Sequence, residues 1–241
     1  MRIALDAMGG DYAPAVNIEG AIETVSDFED IDIILVGDES SIRAELDSKR
    51  CPINRISIKH ASQIVRMDES PSAAIRKKKD SSIRKACELV KNGEADAFVS
   101  AGNSGVVMAT ALLLLGTSIC VDRPAIAAIM PTLKAPFVLI DAGANLHCKP
   151  ENLLQFALMG STYCRVILGR SEPKVALVST GEEDTKGNEL TREAFKLLKE
   201  ADINFMGNVD GKDIFTGNAD VIVCDGFTGN VVLKTSEGLA D

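Results

Sequence analysis

Four short segments rich in glycine, asparagine and aspartate could bind an anion. They are Asp6-Ala7-Met8-Gly9-Gly10-Asp11, Ser100-Ala101-Gly102-Asn103-Ser104-Gly105, Asp141-Ala142-Gly143-Ala144-Asn145 and Asp225-Gly226-Phe227-Thr228-Gly229-Asn230. Glycine lets a backbone approach a ligand closely, and the free N–H groups at the start of a following helix attract anions. Ligands bind at the carboxyl ends of the strands in an open α/β sheet. Four segments of one pattern therefore predict a common anion-binding crevice.

A fifth segment, residues 181–190, adds a cation. Lys186 follows three consecutive acidic residues and comes two residues before Asn188, where a helix is predicted to start. An ammonium at this place could meet an anion or a developing oxyanion. A surface ion pair with Glu182 or Glu183 is the alternative, and composition does not separate the two.

Basic residues are concentrated in one stretch of an otherwise acidic chain. The 241 residues carry 26 Lys and Arg against 35 Asp and Glu, a formal net charge of −9. This balance argues against a general nucleic-acid binder, which needs a broad positive field. Arg76-Lys77-Lys78-Lys79 and Arg84-Lys85 form either a docking patch for an acidic partner or a phosphate, or a solvated helical face.

The common signatures of nucleophilic, nucleotide and metal sites are absent from the sequence. There is no GxSxG, GxxxxGK[ST], HExxH or complete GxGxxG motif, and His60 and His147 have no partner at metal-ligand spacing. Cys148 beside Lys149 is either an activated thiolate or, as we favour, a packing residue at a helix start. The sequence shows no CxxC pair, no metal-ligand spacing of cysteines and no signal-peptide pattern after Met1, which together predict reduced thiols in a cytoplasm. The six cysteines are Cys51, Cys87, Cys120, Cys148, Cys164 and Cys224.

Short β-rich runs alternate with amphipathic helical segments along the whole chain. Strands are predicted at 2–6, 32–36, 55–59, 97–100, 125–130, 137–141, 174–179, 204–207 and 221–225. This alternation predicts one α/β domain over residues 1–241, with a doubly wound, mostly parallel sheet and helices on both faces. The uncharged stretch 97–121 fits a strand, a loop and a buried helix better than a membrane span. A helix beginning at 229 has no later segment to pack against, which indicates a C-terminally incomplete chain.

Taken in order, the motifs cover essentially the whole chain. They are L-D-A-M-G-G-D at 5–11, R-K-K-K-D-S-S at 76–82, S-A-G-N-S-G at 100–105, D-R-P-A-I-A at 122–127, D-A-G-A-N at 141–145, C-K-P-E-N-L-L-Q-F-A at 148–157, K-G-N-E-L-T at 186–191, G-N-V-D-G-K-D-I-F at 207–215 and C-D-G-F-T-G-N-V-V-L-K-T-S-E-G at 224–238. This set resembles the bacterial phosphate acyltransferases of phospholipid synthesis (the PlsX family, acyl-ACP:phosphate acyltransferases). Two places depart from the family pattern: His147 stands where the family is commonly acidic, and Ser179-Thr180 replaces a frequent Asn-Ile.

The resemblance implies a reaction, a fold and a setting. Acyl-[acyl carrier protein] and inorganic phosphate would give acyl phosphate and free carrier protein, without a metal or another cofactor. The product would feed a membrane glycerol-3-phosphate acyltransferase. The implied fold is an αβα sandwich of the isopropylmalate-dehydrogenase-like kind. The implied protein is a cytoplasmic homodimer, with peripheral contact to the inner membrane face made by residues beyond 241.

Roles follow for individual residues as hypotheses. Lys186, Asn188 and Asn230 are the expected catalytic residues. Asp6, Asp141 and Asp225 are expected to fix loop geometry rather than act as bases. The expected phosphate- or substrate-binding residues are Gly9, Gly10, Asn103, Ser104, Gly105, Asn145 and Gly229. The expected carrier-protein docking residues are Arg76, Lys77, Lys78, Lys79 and Arg84.

Three other functions remain open at this point. A coenzyme A-dependent phosphotransacylase is chemically close and differs mainly in the thiol carrier. A decarboxylating hydroxy-acid dehydrogenase suits the fold, although the sequence shows neither a dinucleotide fingerprint nor a metal-ligand pattern. A fragment that binds carrier protein without catalysis is the non-enzymatic alternative.

Overall fold

The computed structural model describes residues 1–49 and 53–240. They fold into two compact units, Met1–Thr117 and Ser118–Asp241, and each unit contains its own sheet. The single α/β domain expected over residues 1–241 stays a prediction. Cys51, one of the six cysteines, lies outside the described residues.

The first unit contains a four-stranded sheet in the order β3-β2-β1-β4, and every pairing in it is parallel. Its strands are β1 Arg2–Asp6, β2 Asp32–Gly37, β3 Ile56–His60 and β4 Ala97–Ser100. Its helices are α1 Ala15–Asp27, α2 Glu39–Lys49, α3 Pro71–Lys77, α4 Ser82–Lys91 and α5 Ser104–Leu115, with a short 3-10 helix at Ile53–Arg55. All four strands end at one edge of the sheet, because all run in the same direction.

Helices cover both faces of this sheet. Leu5 and Leu35 pack with Ile18 of α1 and Ile42 of α2 on one face. On the opposite face, residues of β1 and β2 pack with Ala86 and neighbouring residues of α4. Burial on both faces explains why these strands are apolar without alternation.

The second unit contains a five-stranded sheet in the order β5-β6-β9-β7-β8, parallel except for the edge strand β5. Its strands are β5 Ala127–Met130, β6 Phe137–Ile140, β7 Val175–Ser179, β8 Phe205–Asp210 and β9 Val221–Val223. Its helices are α6 Pro150–Ile167, α7 Glu189–Glu200 and α8 Gly226–Ala240, with a 3-10 helix at Gly211–Thr216. One face of the sheet packs on α6 and α7, and the other packs on α8 and the 3-10 helix.

The predicted fold class is confirmed, and all nine predicted strands form. Three of their ends were predicted wrongly by two or more residues. β5 begins at Ala127 rather than at 125, because the N–H of Ile126 donates to the carboxylate of Asp141 at 3.0 Å. β8 continues past Gly207, which has φ +110° and lies where the register against β7 shifts by one residue, as in a bulge. β9 ends at Val223, because Asp225 binds the first turn of α8 through its side chain.

The uncharged stretch 97–121 folds as predicted, into β4, a loop and α5. No helix in the described part of the chain is long and apolar enough to cross a membrane. The predicted helix at the end of the chain also forms and begins slightly earlier, at Gly226.

Candidate active site

A buried carboxylate organises the carboxyl end of β1. Oδ2 of Asp6 accepts a hydrogen bond from the hydroxyl of Ser100 at 2.7 Å, and Oδ1 accepts one from the N–H of Met8 at 3.1 Å. The backbones of the two loops touch here, since a Cβ added to Gly9 would lie 2.7 Å from the backbone nitrogen of Gly102. Glycine is required for this approach, and Asp6 fixes loop geometry as expected.

The first glycine-rich loop is also held by a residue that sequence reasoning missed. Nδ2 of Asn17, in the first turn of α1, donates to the carbonyl oxygens of Ala7 at 3.1 Å and Gly9 at 2.8 Å. Gly10 in the same loop has φ +96°, a conformation that glycine adopts without strain. The available sequence signal was an amide residue at the start of the helix that follows the loop.

The second loop of this unit ends in the N-terminus of α5. Oδ1 of Asn103 caps the helix by accepting from the N–H of Val106 at 3.1 Å. Its Nδ2 donates to the carbonyl oxygens of Met67 at 2.9 Å and Glu69 at 3.0 Å. The amide of Asn103 is therefore engaged by backbone. In the described chain, the N–H groups of Ser104 and Gly105 have no protein acceptor and point from a helix start, so they are the free donors at this edge.

A third segment, residues 61–70 after β3, adjoins these loops and was not predicted as part of the site. Asp80 ties its beginning by accepting from the N–H of Ser62 at 2.9 Å and from its hydroxyl at 2.6 Å. These two hydrogen bonds, followed by the nearby ammonium of Lys85, lower the pKa of Asp80. Asn103 ties the end of the segment through Met67 and Glu69.

The five predicted docking residues fall into two groups. Lys78 forms an ion pair with Glu69, and Arg84 forms one with Glu88 at 2.9 Å. The other three are exposed and have no ion-pair partner among the described residues: Arg76, Lys77 and Lys79. These three could meet an acidic partner without breaking an ion pair, although Nε of Arg76 also donates to the carbonyl of Ser72 at 3.0 Å.

In the second unit, Asp141 follows β6 and is fully buried. Its carboxylate accepts five hydrogen bonds of 2.7–3.2 Å from the N–H groups of Ile126, Gly143, Ala144 and Asn145 and from Nδ2 of Asn145. A carboxylate that accepts this many hydrogen bonds fixes the loop around it. Asp141 therefore fixes loop geometry, as expected.

The helix start after β9 packs directly against that loop. The N–H of Gly226 donates to the carbonyl of Asn145 at 2.8 Å, and a Cβ on Gly229 would lie 1.8 Å from the carbonyl oxygen of Asp141. Nδ2 of Asn145 donates to Asp141 and to Pro124, both at 2.8 Å. The exposed Asn230 lies beside Gly143 and has no hydrogen-bond partner for its amide in the described chain. Asn230 is thus a free donor, whereas both amide hydrogens of Asn145 are engaged.

The two cysteines nearest this loop are ordinary thiols. Cys148 donates to the carbonyl of Asn145 at 3.4 Å, and Cys224 donates to that of Asp141 at 3.6 Å. Burial raises the pKa of both thiols, and the neighbouring carboxylates of Asp141 and Asp225 add to it. A thiol with a raised pKa is a poor nucleophile near neutral pH, which favours the packing role for Cys148 over the activated thiolate.

Lys186 lies in the exposed loop between β7 and α7. Within the described ranges, no carboxylate lies within 4.0 Å of its ammonium, so the alternative ion pair with Glu182 or Glu183 is not formed. Asn188 caps α7, because its Oδ1 accepts from the N–H of Thr191 at 2.9 Å. Lys186 is therefore a free cation one turn from a helix N-terminus.

The departure at Ser179 has a local consequence. The Ser179 hydroxyl is buried beneath this loop and has no hydrogen-bond partner in the described part of the chain. A Cβ on Gly187 would lie 2.8 Å from that hydroxyl, so the glycine lets the loop close over it.

The predicted crevice residues are thus brought together in two groups of loops, one group within each unit. In the first unit Gly9 and Gly10 meet the loop of Asn103, Ser104 and Gly105. In the second unit the loops after β6, β9 and β7 follow three neighbouring parallel strands, so their ends share one edge. Among the described residues, no group of three or more His, Cys, Asp or Glu side chains could hold a metal ion.

A protein-family model described as "Fatty acid synthesis protein" matches residues 1–241. The chain belongs to this family. It is 57% identical over 241 residues to a phosphate acyltransferase of Thermodesulfovibrio yellowstonii and 54% identical to one of Geotalea daltonii. Both alignments cover 100% of this chain and 69% of the relative.

Two solved structures with the same fold are phosphotransacetylases. The EutD phosphotransacetylase from Staphylococcus aureus matches with TM-score 0.70 at 19% identity, and one from Streptococcus pyogenes with 0.74 at 18%. Each match covers 100% of this chain and 82% of the other, and at this identity it shows the fold alone. Family and relatives together make the chain an acyltransferase, which excludes the dehydrogenase alternative. The alternative of a fragment that binds carrier protein without catalysis stays a prediction.

Proposed function

We propose that this acyltransferase moves a fatty acyl group from acyl-[acyl carrier protein] to inorganic phosphate. The coarser part, acyl transfer to phosphate, is supported by the family and by relatives named phosphate acyltransferase. The carrier-protein donor and the use of acyl phosphate in phospholipid synthesis are the finer part of the proposal. The observation that carries it is the free, exposed ammonium of Lys186 at the edge where β6, β9 and β7 end.

The chemistry requires positioning and charge stabilisation. A phosphate oxygen attacks the thioester carbonyl, the carbonyl oxygen becomes an oxyanion, and the C–S bond then breaks as the carrier thiolate leaves. That thiolate takes up a proton to give the free thiol, and the new C–O bond remains in acyl phosphate. A thioester is already electrophilic, so the protein must mainly hold phosphate in line and stabilise the oxyanion.

The available donors suit these two tasks. Lys186 would stabilise the developing charge, and Asn230 would donate from the neighbouring strand end. The N–H groups of Ser104 and Gly105, at the start of α5, would bind an anion in the first unit. Asn188, Asn103 and Asn145 are engaged in capping or loop contacts, so we assign them to positioning.

Thiol release from a long-chain acyl-[acyl carrier protein], with and without inorganic phosphate, tests the function. We expect release only with phosphate, and hydroxylamine should trap the acyl phosphate. Phosphate-dependent release from acyl-coenzyme A but not from the carrier protein would replace the proposed donor. Release from neither donor would contradict the proposal.

Lys186→Ala tests the central residue. We expect turnover to fall about 100-fold, as when one oxyanion donor is removed. Lys196→Ala is the matched control, because Lys196 is an exposed lysine of α7 that pairs, among the described residues, with Glu193 alone. Full turnover in Lys186→Ala would contradict the assignment.

The carrier-protein contact has its own test. The triple variant R76E/K77E/K79E should bind the carrier protein more weakly than wild type at low salt. The difference in affinity should be smaller at high salt, because salt screens the attraction. A variant with the same charge change elsewhere, K91E/K174E/K196E, controls for net charge. Equal affinities of the two variants at low salt would show that the basic stretch is only a solvated surface.

The setting belongs to the same proposal. We infer a cytoplasmic protein, since Cys87, Cys164 and Cys224 are free and buried, as is usual where thiols stay reduced. We also propose that the protein is a homodimer and makes peripheral contact with the inner membrane face. Its product would be used by a membrane glycerol-3-phosphate acyltransferase. Sedimentation velocity measures the oligomer, and flotation with anionic vesicles measures the membrane contact.

A further inference from the structure

Lys78 differs from its neighbours in the basic stretch. Its side chain is 25% exposed and its ion-pair partner Glu69 is 23% exposed, whereas Lys77 and Lys79 lie open to solvent. The ammonium of Lys78 donates to the carboxylate of Glu69 and to the backbone carbonyl of Ile64. A cation held by two internal acceptors is poorly placed to meet a partner protein.

Glu69 connects this cation to the backbone around it. Its carboxylate also accepts from the N–H of Arg66 at 2.8 Å, which closes a turn of the 61–70 segment. The hydrogen bond from Lys78, followed by that from Arg66, lowers the pKa of Glu69. The carboxylate therefore remains an acceptor for both groups near neutral pH.

The backbone of Glu69 is hydrogen-bonded to Asn103, the residue that caps the start of α5. Nδ2 of Asn103 donates to the carbonyl of Glu69 at 3.0 Å, and Oδ1 of Asn103 accepts from the N–H of Val106 at 3.1 Å. Contacts thus run without a gap from Lys78 through Glu69 and Asn103 to the first turn of α5. The N–H groups of Ser104 and Gly105 belong to that turn.

We propose that Lys78 is a positioning residue for phosphate binding, acting through Glu69 and Asn103 on the first turn of α5. This inference rests on the proposed function, which assigns phosphate to the N–H groups of Ser104 and Gly105. It removes Lys78 from the predicted docking residues. It also accounts for the half-burial of Lys78 between the exposed Lys77 and Lys79.

Steady-state kinetics of Lys78→Gln and Lys79→Gln separate positioning from docking. In Lys78→Gln we expect kcat/KM for phosphate to fall about tenfold, with an unchanged KM for the carrier protein at every salt concentration. In Lys79→Gln we expect the reverse, a salt-dependent rise in KM for the carrier protein and an unchanged KM for phosphate. Lys78→Arg keeps the charge and should recover most of the lost efficiency.

A double-mutant cycle tests the route through Glu69. Glu69→Gln should reproduce the loss of Lys78→Gln, and the double variant should be no worse than either single one. If the losses in kcat/KM of the two single variants added up in the double variant, Lys78 would not act through Glu69. A salt-dependent carrier effect in Lys78→Gln, like that of Lys79→Gln, would return Lys78 to docking and overturn the inference.

Amide hydrogen exchange gives a readout that does not need turnover. The N–H of Val106 should exchange faster in Lys78→Gln and Glu69→Gln and at the wild-type rate in Lys79→Gln. Faster exchange with unchanged phosphate kinetics would make the contact merely structural and overturn the inference. Absence of phosphate-dependent release from the wild-type chain would instead count against the proposed function, while unchanged exchange would count against the inference.

Discussion

The loop after β6 and the loop after β7 lie in the same sheet and are built in opposite ways. The first is centred on the buried Asp141, whose carboxylate accepts five hydrogen bonds. The second carries three acidic residues and Lys186, which has no ion pair among the described residues, and most of it is exposed. The comparison shows how one edge of a sheet can combine a loop held rigid by buried hydrogen bonds with a cation that is free to reach a substrate.

Their different energetics follow from that construction. In the loop after β6, each polar group near Asp141 depends on the others, so one substitution leaves several buried groups unsatisfied. In the loop after β7, a hydrogen bond from Asn208 to the carbonyl of Glu183 at 2.9 Å and a surface ion pair between Lys199 and Asp184 hold the chain. Surface ion pairs contribute about 0–1 kcal/mol, so we expect this loop to tolerate change.

Asp141→Asn should give the largest loss of stability. The amide NH₂ would face N–H donors that now meet an oxygen, and we expect the free energy of unfolding to fall by about 3 kcal/mol. Urea denaturation measures this, with Asp6→Asn as the comparison, because Asp6 accepts only two side-chain or loop hydrogen bonds in the described chain. An equal loss of stability at both positions would show that the additional hydrogen bonds to Asp141 do not add to the stability of the protein.

Gly229→Ala should come next. Its Cβ would lie 1.8 Å from the carbonyl oxygen of Asp141, so α8 or the loop must move, at a cost of about 1–3 kcal/mol. Gly238→Ala lies in the same helix with nothing within 4 Å, and it should leave the protein equally or slightly more stable. The two variants differ only in position, and similar melting temperatures would contradict the tight packing of α8 on this loop.

Asp80 is an intermediate case, a carboxylate that binds backbone at the surface of the first unit. Its pKa is lower in the folded than in the unfolded protein, where an Asp titrates near ~3.9. Its stabilisation is therefore complete above that unfolded value and is lost as the pH falls through the lowered folded value. The melting-temperature difference between wild type and Asp80→Asn should shrink as the pH is lowered from 5 towards ~3. A difference that stays constant over this range would show that the ionised carboxylate of Asp80 does not stabilise the fold.

Lys186→Ala should have the smallest effect on stability. Since its ammonium makes no ion pair in the described residues, we expect the free energy of unfolding to stay within about 0.5 kcal/mol of wild type. Together with the expected loss of turnover, this result would show that Lys186 serves catalysis, whereas Asp141 serves the stability of its loop. A marked fall in melting temperature would mean that Lys186 supports the loop instead.

The sequence by itself determined the elements and the places where chemistry is concentrated. Apolar runs predict each strand and amphipathic stripes predict several of the helices, because burial leaves a local pattern in the sequence. Glycine and Asx residues at strand ends predict the loops for the same local reason. These signals depend on neighbours in the chain and need no knowledge of distant contacts.

Only the tertiary structure decided which polar groups remain free. Asn103 and Asn230 have the same side chain and both lie near the start of a helix. Asn103 is engaged by Met67 and Glu69, whereas the amide of Asn230 has no partner among the described residues. Lys78 and Lys79 are neighbours, yet only Lys78 meets Glu69. Such differences arise from contacts between residues far apart in the sequence, such as those of the 61–70 segment with Asn103, and composition carries no record of them.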